Sequence, residues 1–342
     1  MATVTLEYKS KHIVDSFALN GLTVENVKAS LSPQEERYTI RPITGTLSAY
    51  KRIFRDLEFL HGVRTEVNAN GTFTMSIQRA SREFIGCGNC SKPIEEAIAK
   101  DPNGVQKVYL SFGKGEDGYI VTNMQECAHI LIAGTTGSGK SCLMNSLIMQ
   151  ILCFSNADLL LIDPKNGAEF GLYEQDVHGR IWKIAKSTPE AIETLSYAVN
   201  VMEKRYLQSG NSYQKNYDGN RLIVVIDELS DLMDTSKGEV EEYIRRISQK
   251  GRAAGVHLIV ATQSPYTFII TGAIKNCLPT KICLKTSNQI QSRLIIDVGK
   301  GAELLDKGDG LVKLPSSPYL QRVQCCYISD KEIIDNITRR TN

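Results

Sequence analysis

No run of about 18 apolar residues, the length a membrane-crossing helix needs, occurs anywhere in the sequence. The amino terminus, Met1-Ala2-Thr3-Val4, lacks the charged-then-apolar layout of a secretory signal. The expectation is a soluble, cytoplasmic chain. Internal repeats and low-complexity segments are missing too, so disorder is not expected. Charge of one sign is also lacking: 40 Lys and Arg against 38 Asp and Glu leave a net +2. There is no overall basic field, and any grip on a polyanion has to be local. The nine cysteines are expected as reduced thiols in such a compartment. Cys87 and Cys90 form one C-x-x-C, which cannot close a zinc site without two further ligands, and His61 and Cys127 are only loosely placed for that. Cys325 and Cys326 are read the same way, as plain thiols.

What is present is enough for substantial cores. With 342 residues, 42% hydrophobic and 23% charged, two domains are expected. Residues 1–105 read as a small α+β domain. Short β-rich stretches (Thr3 to Tyr8, Leu22 to Val27, Arg37 to Arg41) precede a helix from about Ser48 to His61, with Ile53, Phe54, Leu57 and Leu60 on one face. Val63 to Val67 and the alternating Phe73, Met75 and Ile77 then flank Asn70-Gly71, a hairpin pattern. No catalytic cluster occurs here, and a scaffold role is the plain reading. Asp101-Pro102-Asn103-Gly104 marks the boundary to residues 106–342.

That second part opens with a hairpin, Val108 to Phe112 and Tyr119 to Val121, around a Gly-rich turn. It then alternates apolar runs with longer periodic segments, as a parallel sheet with crossover helices requires. The strands expected are Ile130 to Ala133, Asp158 to Ile162, Leu222 to Ile226, Val256 to Ala261 and Lys281 to Leu284. Ser187 with Glu190 is a capping-box pattern that opens a helix.

Gly134-Thr135-Thr136-Gly137-Ser138-Gly139-Lys140-Ser141 matches G-x-x-x-x-G-K-[ST] in full, after a strand and before a helix from Cys142 to Cys153. Backbone N–H groups freed by the glycines can converge on phosphates, and the helix amino terminus adds its partial positive charge. Residues Gly134 to Cys142 are the expected nucleotide-binding set. Lys140 should reach the β and γ phosphates of ATP, and the Ser141 hydroxyl should coordinate Mg²⁺. Leu222-Ile223-Val224-Val225-Ile226-Asp227-Glu228 supplies the complementary apolar strand ending in carboxylates. Asp227 is assigned to the metal and Glu228 to activation of the attacking water.

The run Asp158 to Ile162 lies between these two motifs in the sequence. That interposed strand, with a Glu beside the Asp, is the pattern of motor ATPases of the additional-strand, catalytic-Glu type; the N-K-x-D motif of switch GTPases is absent. Gln263, ending the next strand, is either a sensor of the γ-phosphate or simply a strand end. A cation from a neighbouring subunit usually completes such sites. Arg245, Arg246, Lys250 and Arg252 all lie on one helical segment, and the pattern alone does not choose among them.

Several ordered blocks resemble the FtsK/SpoIIIE DNA translocases over roughly residues 106–335, and more weakly before. They are Ile132 to Ser141, Ile162-Asp163-Pro164-Lys165, Val225 to Met233, Gln249 to Leu258, Ala261-Thr262-Gln263, Ile270 to Lys275, Ser292-Arg293 and Leu304 to Gly310. The resemblance implies a RecA-like motor domain, a homohexameric ring, double-stranded DNA as partner, and a smaller first domain forming a second tier. It assigns the inter-subunit arginine to Arg252. It also implies DNA contacts at Lys275, Ser264, Asn288 and Gln289. Two basic residues of the family pattern are replaced, by Ser264 in Ala261-Thr262-Gln263-Ser264-Pro265 and by Gln289 in Ser287-Asn288-Gln289-Ile290-Gln291-Ser292-Arg293. The family's winged-helix module and membrane-spanning region are not expected, which suggests a stripped motor from a plasmid, phage or conjugative element. Two rival readings stand beside it: a motor of the same superfamily moving protein cargo, and a slow nucleotide-gated coupling scaffold.

Overall fold

Leu6, Ile13, Val14 and Phe17 recur at helical spacing and pack on one core. The first segment is accordingly a helix, α1 (Ala2–Leu19), and not the strand expected over Thr3 to Tyr8. The β-branched Thr3, Val4 and Thr5 favour strand only weakly, and burial of the apolar face overrides them. The computed structural model describes residues 2–61, 63–79, 82–101, 107–208 and 217–338.

Contacts divide the chain into two units, Met1–Phe84 with Lys114–Gly118, and Ile85–Gly113 with Tyr119–Asn342. In the first unit β1 (Val24–Leu31), β2 (Glu35–Pro42), β3 (Arg64–Val67) and β4 (Phe73–Gln78) form an antiparallel sheet of order β1-β2-β4-β3. The helix α2 (Leu47–His61) lies where its periodicity places it. Its Tyr50 and Phe54 meet Phe73 of β4 at ring-centroid distances of 5.1 and 4.9 Å. Buried aromatics of this size contribute roughly 1.5–3 kcal/mol each, so this cluster is the main anchor of a small unit.

The unit boundary differs from the one expected near residue 105. Residues 102–106, with most of the Pro-Asn-Gly signal, lie outside the described residues. The helix α3 (Ser91–Ala99) goes with the second unit, because Ile94 is fully buried in a cluster with Ile85, Cys90 and Cys326. Gly86 also pairs with Tyr327 as a parallel bridge.

Among the described residues the second unit holds a ten-stranded sheet. Its strands are β5 (Tyr109–Lys114), β6 (Tyr119–Asn123), β7 (Ile130–Ala133), β8 (Asp158–Ile162), β9 (Ile181–Ala185), β10 (Leu222–Ile226), β11 (Val256–Thr262), β12 (Thr280–Leu284), β13 (Asp309–Lys313) and β14 (Gln321–Cys325). The order is β6-β5-β14-β13-β12-β7-β11-β10-β8-β9. From β12 to β9 every pairing is parallel; β12, β13 and β14 pair antiparallel.

Parallel strands with helices on both faces carry apolar side chains on both. Ile223 and Val225 of β10 therefore join the core that holds Leu143 and Leu147 of α5 (Lys140–Phe154), with a short helix α4 (Met124–Cys127) nearby in sequence. Leu222, Val224 and Ile226 join the opposite core, with Leu195 of α6 (Thr188–Gln208), Leu232 of α7 (Leu229–Thr235) and Ile244 of α8 (Glu239–Ala254). The remaining helices are α9 (Gly272–Cys277), α10 (Gln289–Ile296) and α11 (Asp330–Thr338). At the capping-box pattern Glu190 accepts a hydrogen bond from Lys186 N–H at 2.8 Å, which closes the entry to α6.

The strand standing between β7 and β10 in space is β11; β8, interposed in the sequence, lies outside β10. The crossover after β7 skips two places, which β10 and then β11 fill. The carboxyl end of β11 is thereby inserted between the ends of β7 and β10, where ligands bind in open α/β sheets.

Gly251, in the last turn of α8, faces the backbone of β11: a Cβ there would lie 2.3 Å from the carbonyl oxygen of Val256. Helix propensity alone would make Gly251→Ala stabilising by about 1 kcal/mol. A main-chain oxygen cannot step aside as a side-chain tip can, so the overpacking cost of about 1–3 kcal/mol should win. A lower urea midpoint with an unchanged m-value is expected; a higher midpoint would show that the helix shifts freely.

Candidate nucleotide and hydrolysis site

The loop between β7 and α5 turns into the helix through Gly139, at φ +100°. That left-handed conformation is disfavoured for other residues, and it aims the first amides of α5 into the loop's concave side. Lys140 is almost wholly buried and crosses to the end of β10, where its Nζ donates to Asp227 Oδ1 and to Asp227 O, both at 2.9 Å. Asp227 Oδ2 and Ser138 Oγ are buried without a hydrogen-bond partner among the described residues. A carboxylate oxygen and a hydroxyl left in that condition are costly unless something fills the site. They fit a divalent cation and a phosphate, so Asp227 is placed to hold Mg²⁺, with Ser141 as the partner expected from the sequence.

Glu228 begins α7 as its N-cap. Its Oε1 accepts from Ser230 Oγ at 2.7 Å and Thr262 Oγ1 at 2.8 Å, and its Oε2 accepts from Gln263 N–H at 2.9 Å. The carboxylate is thus oriented by both the strand end and the helix start, and Oε2 is its less engaged oxygen. Gln263 continues the chain of contacts, since its Oε1 accepts from Thr136 Oγ1 of the phosphate loop at 2.7 Å. The structure brings Lys140, Asp227, Glu228, Gln263 and the loop together at one edge. Thr262 and Ser230, which orient Glu228, are not apparent as site residues from the sequence. Their signal is a hydroxyl one residue before the sensor position and another two residues after the Glu.

Asp163, at the same edge, is fully buried and accepts from Glu169 N–H at 2.7 Å and Phe170 N–H at 3.0 Å. It shapes the turn after β8. Lys165 in that turn lies 4.0 Å from Asp231 of α7. Asp231 is raised above the usual carboxylate range, by burial first and then by the nearby Glu228 and Asp227 charges.

Arg252 is elsewhere. It is exposed in the last turn of α8, just before β11. Because β11 runs parallel to β7, its seven residues separate Arg252 from the loop's edge by about 20 Å. Arg252 therefore cannot reach the site of its own chain.

The residues expected to contact DNA are also distributed. Ser264 follows Gln263 directly, and its N–H donates to Thr262 Oγ1 at 3.1 Å. The Asn288 side chain caps α10 by accepting from Gln291 N–H, and exposed Gln289 accepts from Arg293 at 3.2 Å. Lys275 is bonded to Asp297 at 2.7 Å. All nine cysteines are free thiols. Among the described residues no cluster of three or more His, Cys, Asp or Glu could hold a metal, and the side chain of His61 lies outside them.

Asp297 is held at about 2, first by the hydrogen bond from Lys275 and then by that from Lys313. A depressed carboxyl contributes fully above its unfolded pKa of about 4 and loses that contribution as pH falls through the folded value. Its partners are partly exposed, so Asp297→Asn should lower stability at neutral pH by at most about 1 kcal/mol. The gap from the parent, read by urea unfolding, should close between about pH 4 and pH 2. A gap that persisted at pH 2 would rule out the ion pairs as its origin.

The FtsK/SpoIIIE family model matches residues 96–217 and 212–267, half of the chain. A curated relative, DNA translocase FtsK of Clostridium acetobutylicum, is 32% identical over 337 residues, covering 92% of this chain and 43% of that protein. The protein of the same name from Caldanaerobacter subterraneus is 33% identical, covering 95% and 48%. The chain spans less than half the length of these relatives. Among solved structures, the pCW3 conjugation coupling protein TcpA, in its monomer form with ATPγS, has a TM-score of 0.66 at 24% identity over 92% of both chains. The cytoplasmic domain of the Thermomonospora curvata type VII secretion ATPase EccC has a TM-score of 0.58 at 24% identity, covering 68% of this chain and 31% of that one. These two likenesses establish the RecA-like P-loop fold, and the family match establishes descent: the chain is a member of the FtsK/SpoIIIE family of P-loop ATPases.

Proposed function

We propose that this chain is an ATP-driven translocase of double-stranded DNA that acts as a homohexameric ring in the cytoplasm. Its relatives carry the name DNA translocase along nearly the whole of this chain. Among the described residues no helix is long and apolar enough to cross a membrane. The observation that carries the mechanical part is the hydrogen-bond chain Thr136–Gln263–Glu228, since it ties the phosphate loop to the water-activating carboxylate and to the strand that leads into Ser264.

In this reading the loop amides and Lys140 bind the phosphates of ATP, with Lys140 exchanging its Asp227 contact for them. Mg²⁺, when bound, supplies neutralisation of phosphate charge. Glu228 Oε2 orients a water and accepts its proton as the oxygen attacks the γ-phosphorus in line with the leaving ADP oxygen. Gln263 senses the γ-phosphate through Thr136. Arg252, too far from its own site, reaches the site of the next subunit and stabilises the transferring phosphoryl group. Transfer or segregation of plasmid, phage or conjugative-element DNA is the setting proposed for it. Residues 1–84 belong to the proposed second tier, as the small α+β part of a two-domain chain.

The second reading, a motor for protein cargo, draws support from Lys275, whose ammonium is engaged by Asp297, a carboxylate that it shares with Lys313. The remaining DNA contacts are then polar groups at Ser264, Asn288 and Gln289, with modest salt dependence.

Glu228→Gln removes the base while keeping the Oε1 bonds, so it should bind ATP and hydrolyse it at least about a hundredfold more slowly. In the ATP-loaded state it should bind duplex DNA regardless of sequence. Ser264→Arg or Gln289→Lys in that background should tighten binding and steepen the log-log salt slope by about 0.9 for each additional phosphate neutralised. Fluorescence anisotropy across several salt concentrations reads this out. Assembled rings that bind no duplex even at low salt would put the protein-cargo reading first. Parent-rate hydrolysis by Glu228→Gln would remove the assigned base.

Mixing Arg252→Ala with Lys140→Ala subunits should restore part of the ATPase activity, because some interfaces then pair an intact Lys140 with an intact Arg252. Each variant alone should be inactive. Rings shown to be mixed but still inactive would count against the contribution in trans.

A further inference from the structure

A loop that turns its amides inward to phosphates turns carbonyls outward, and these need donors of their own. In this chain the donors come from the turn before β13. Lys307 N–H donates to Gly137 O at 3.3 Å, and Gly308 N–H donates to Ser138 O at 2.7 Å. The two backbones touch: a Cβ on Gly139 would lie 2.6 Å from Gly308 N and 3.0 Å from Gly308 Cα. Two consecutive residues, Lys307 at φ +61° and Gly308 at φ +89°, adopt left-handed conformations that bring both amides to the same side. Lysine does so at a cost, which persists only where surrounding bonds over-determine the shape.

Those bonds are present. Asp309 is fully buried; its Oδ2 accepts from Leu305 N–H and from Arg322 Nη2, both at 2.8 Å, and its Oδ1 accepts from Arg322 Nε at 3.0 Å. The carboxylate therefore closes the turn on itself and bolts it to β14. Gln324 donates to Lys307 O at 2.8 Å, and Cys325 N–H donates to Gly308 O at 2.7 Å. On the other flank Lys285 O accepts from both Thr135 N–H (2.9 Å) and Thr135 Oγ1 (3.1 Å), while Lys285 Nζ reaches Asp306 at 2.9 Å. The phosphate loop sits in a cradle made by the end of β12 and the Leu304–Gly310 turn.

We propose that this turn is a positioning element for the phosphate loop, and that Gly308 and Asp309 set the affinity for ATP without touching it. The proposal rests on reading the loop as an ATP site. The turn holds the outward carbonyls of Gly137 and Ser138, and so fixes the inward direction of the amides that receive the phosphates. Gly308→Ala forces a side chain into a left-handed conformation at φ +89° and pushes aside the tip of Gln324, the donor to Lys307 O, which strains the turn that carries the donor to Ser138. Asp309→Asn removes the charge that closes the turn and adds no bulk.

The test is ATPγS affinity by calorimetry, together with KM and kcat for ATP, on full-length parent, Gly308→Ala, Asp309→Asn and Lys140→Ala proteins. A lost or bent hydrogen bond on the loop should weaken ATPγS binding and raise KM by about tenfold in both turn variants, with kcat within about twofold of the parent. A merely structural turn would lower the melting temperature of the free and ATPγS-bound protein alike and leave the affinity unchanged; that result in a folded variant overturns the proposal. A fall in kcat at constant KM does so as well. If Gly308→Ala does not fold, Asp309→Asn decides alone. Failure of the ATP-site reading shows separately, as Lys140→Ala and the parent binding ATPγS equally.

Discussion

Everything at the catalytic edge is arranged around one nearly water-free ion pair, Lys140 with Asp227, at 4% and 1% side-chain exposure. Desolvating both charges is expensive, and such pairs add little net stability. This one persists because two rigid elements present its halves, the start of α5 and the end of β10, each supported by a fully buried apolar run. The pair also leaves Asp227 Oδ2 and Ser138 Oγ unsatisfied. A site that keeps a cation against one carboxylate oxygen and leaves the other bare is incomplete by its own chemistry. In the proposed function a metal-bound phosphate would complete it, giving Lys140 and Asp227 each a further partner.

Strand order then decides what can respond to that change. Inserting β11 between β7 and β10 puts Thr262 and Gln263 within hydrogen-bond reach of Glu228 on one side and of Thr136 on the other. A ligand shifts a conformational equilibrium only by its different affinity for the two states. Here the difference would come from the hydrogen bonds that Thr136 and Gln263 exchange when a γ-phosphate arrives. The exposed Arg252, in the last turn of α8, lies just before the opposite end of the same β11, so in the proposed function one strand would link the γ-phosphate sensor of its own site to the cation offered to the next subunit.

Much of this was legible in the sequence because it rests on local patterns. The G-x-x-x-x-G-K-S run, the apolar strand ending in Asp-Glu, and β7, β8 and β10 residue for residue all follow from motif and apolar run length. Three things were not legible, each for a physical reason. The strand nature of Thr3 to Tyr8 was over-read because β-branched residues carry a weak preference that helix packing overrides. The boundary near residue 105 followed a turn signal, whereas Ile85 and Ile94 share a buried cluster in the second unit with Cys326, more than 200 residues away. The edge strand β9, with half-exposed Ile181, Lys183 and Ile184 and an exposed Trp182, has no apolar run to announce it.

Lys275 shows the same limit at the level of function. Its position in the Thr271-Gly272-Ala273-Ile274-Lys275 block marks it as a cation available to a polyanion. Yet Asp297, 22 residues later in the sequence, turns back at φ +69° after α10 and pairs with it, while its other carboxylate oxygen pairs with Lys313. Asp297 lies outside every motif, and its effect depends on the left-handed turn that ends α10. The chain as a whole is close to neutral, so one captured lysine matters more here than in a strongly basic protein. In the proposed translocase, affinity for DNA would then come from backbone amides, polar side chains and the multiplication of weak contacts around a ring. Such a grip would be insensitive to sequence and easily released, as a motor that lets go of each phosphate to reach the next requires.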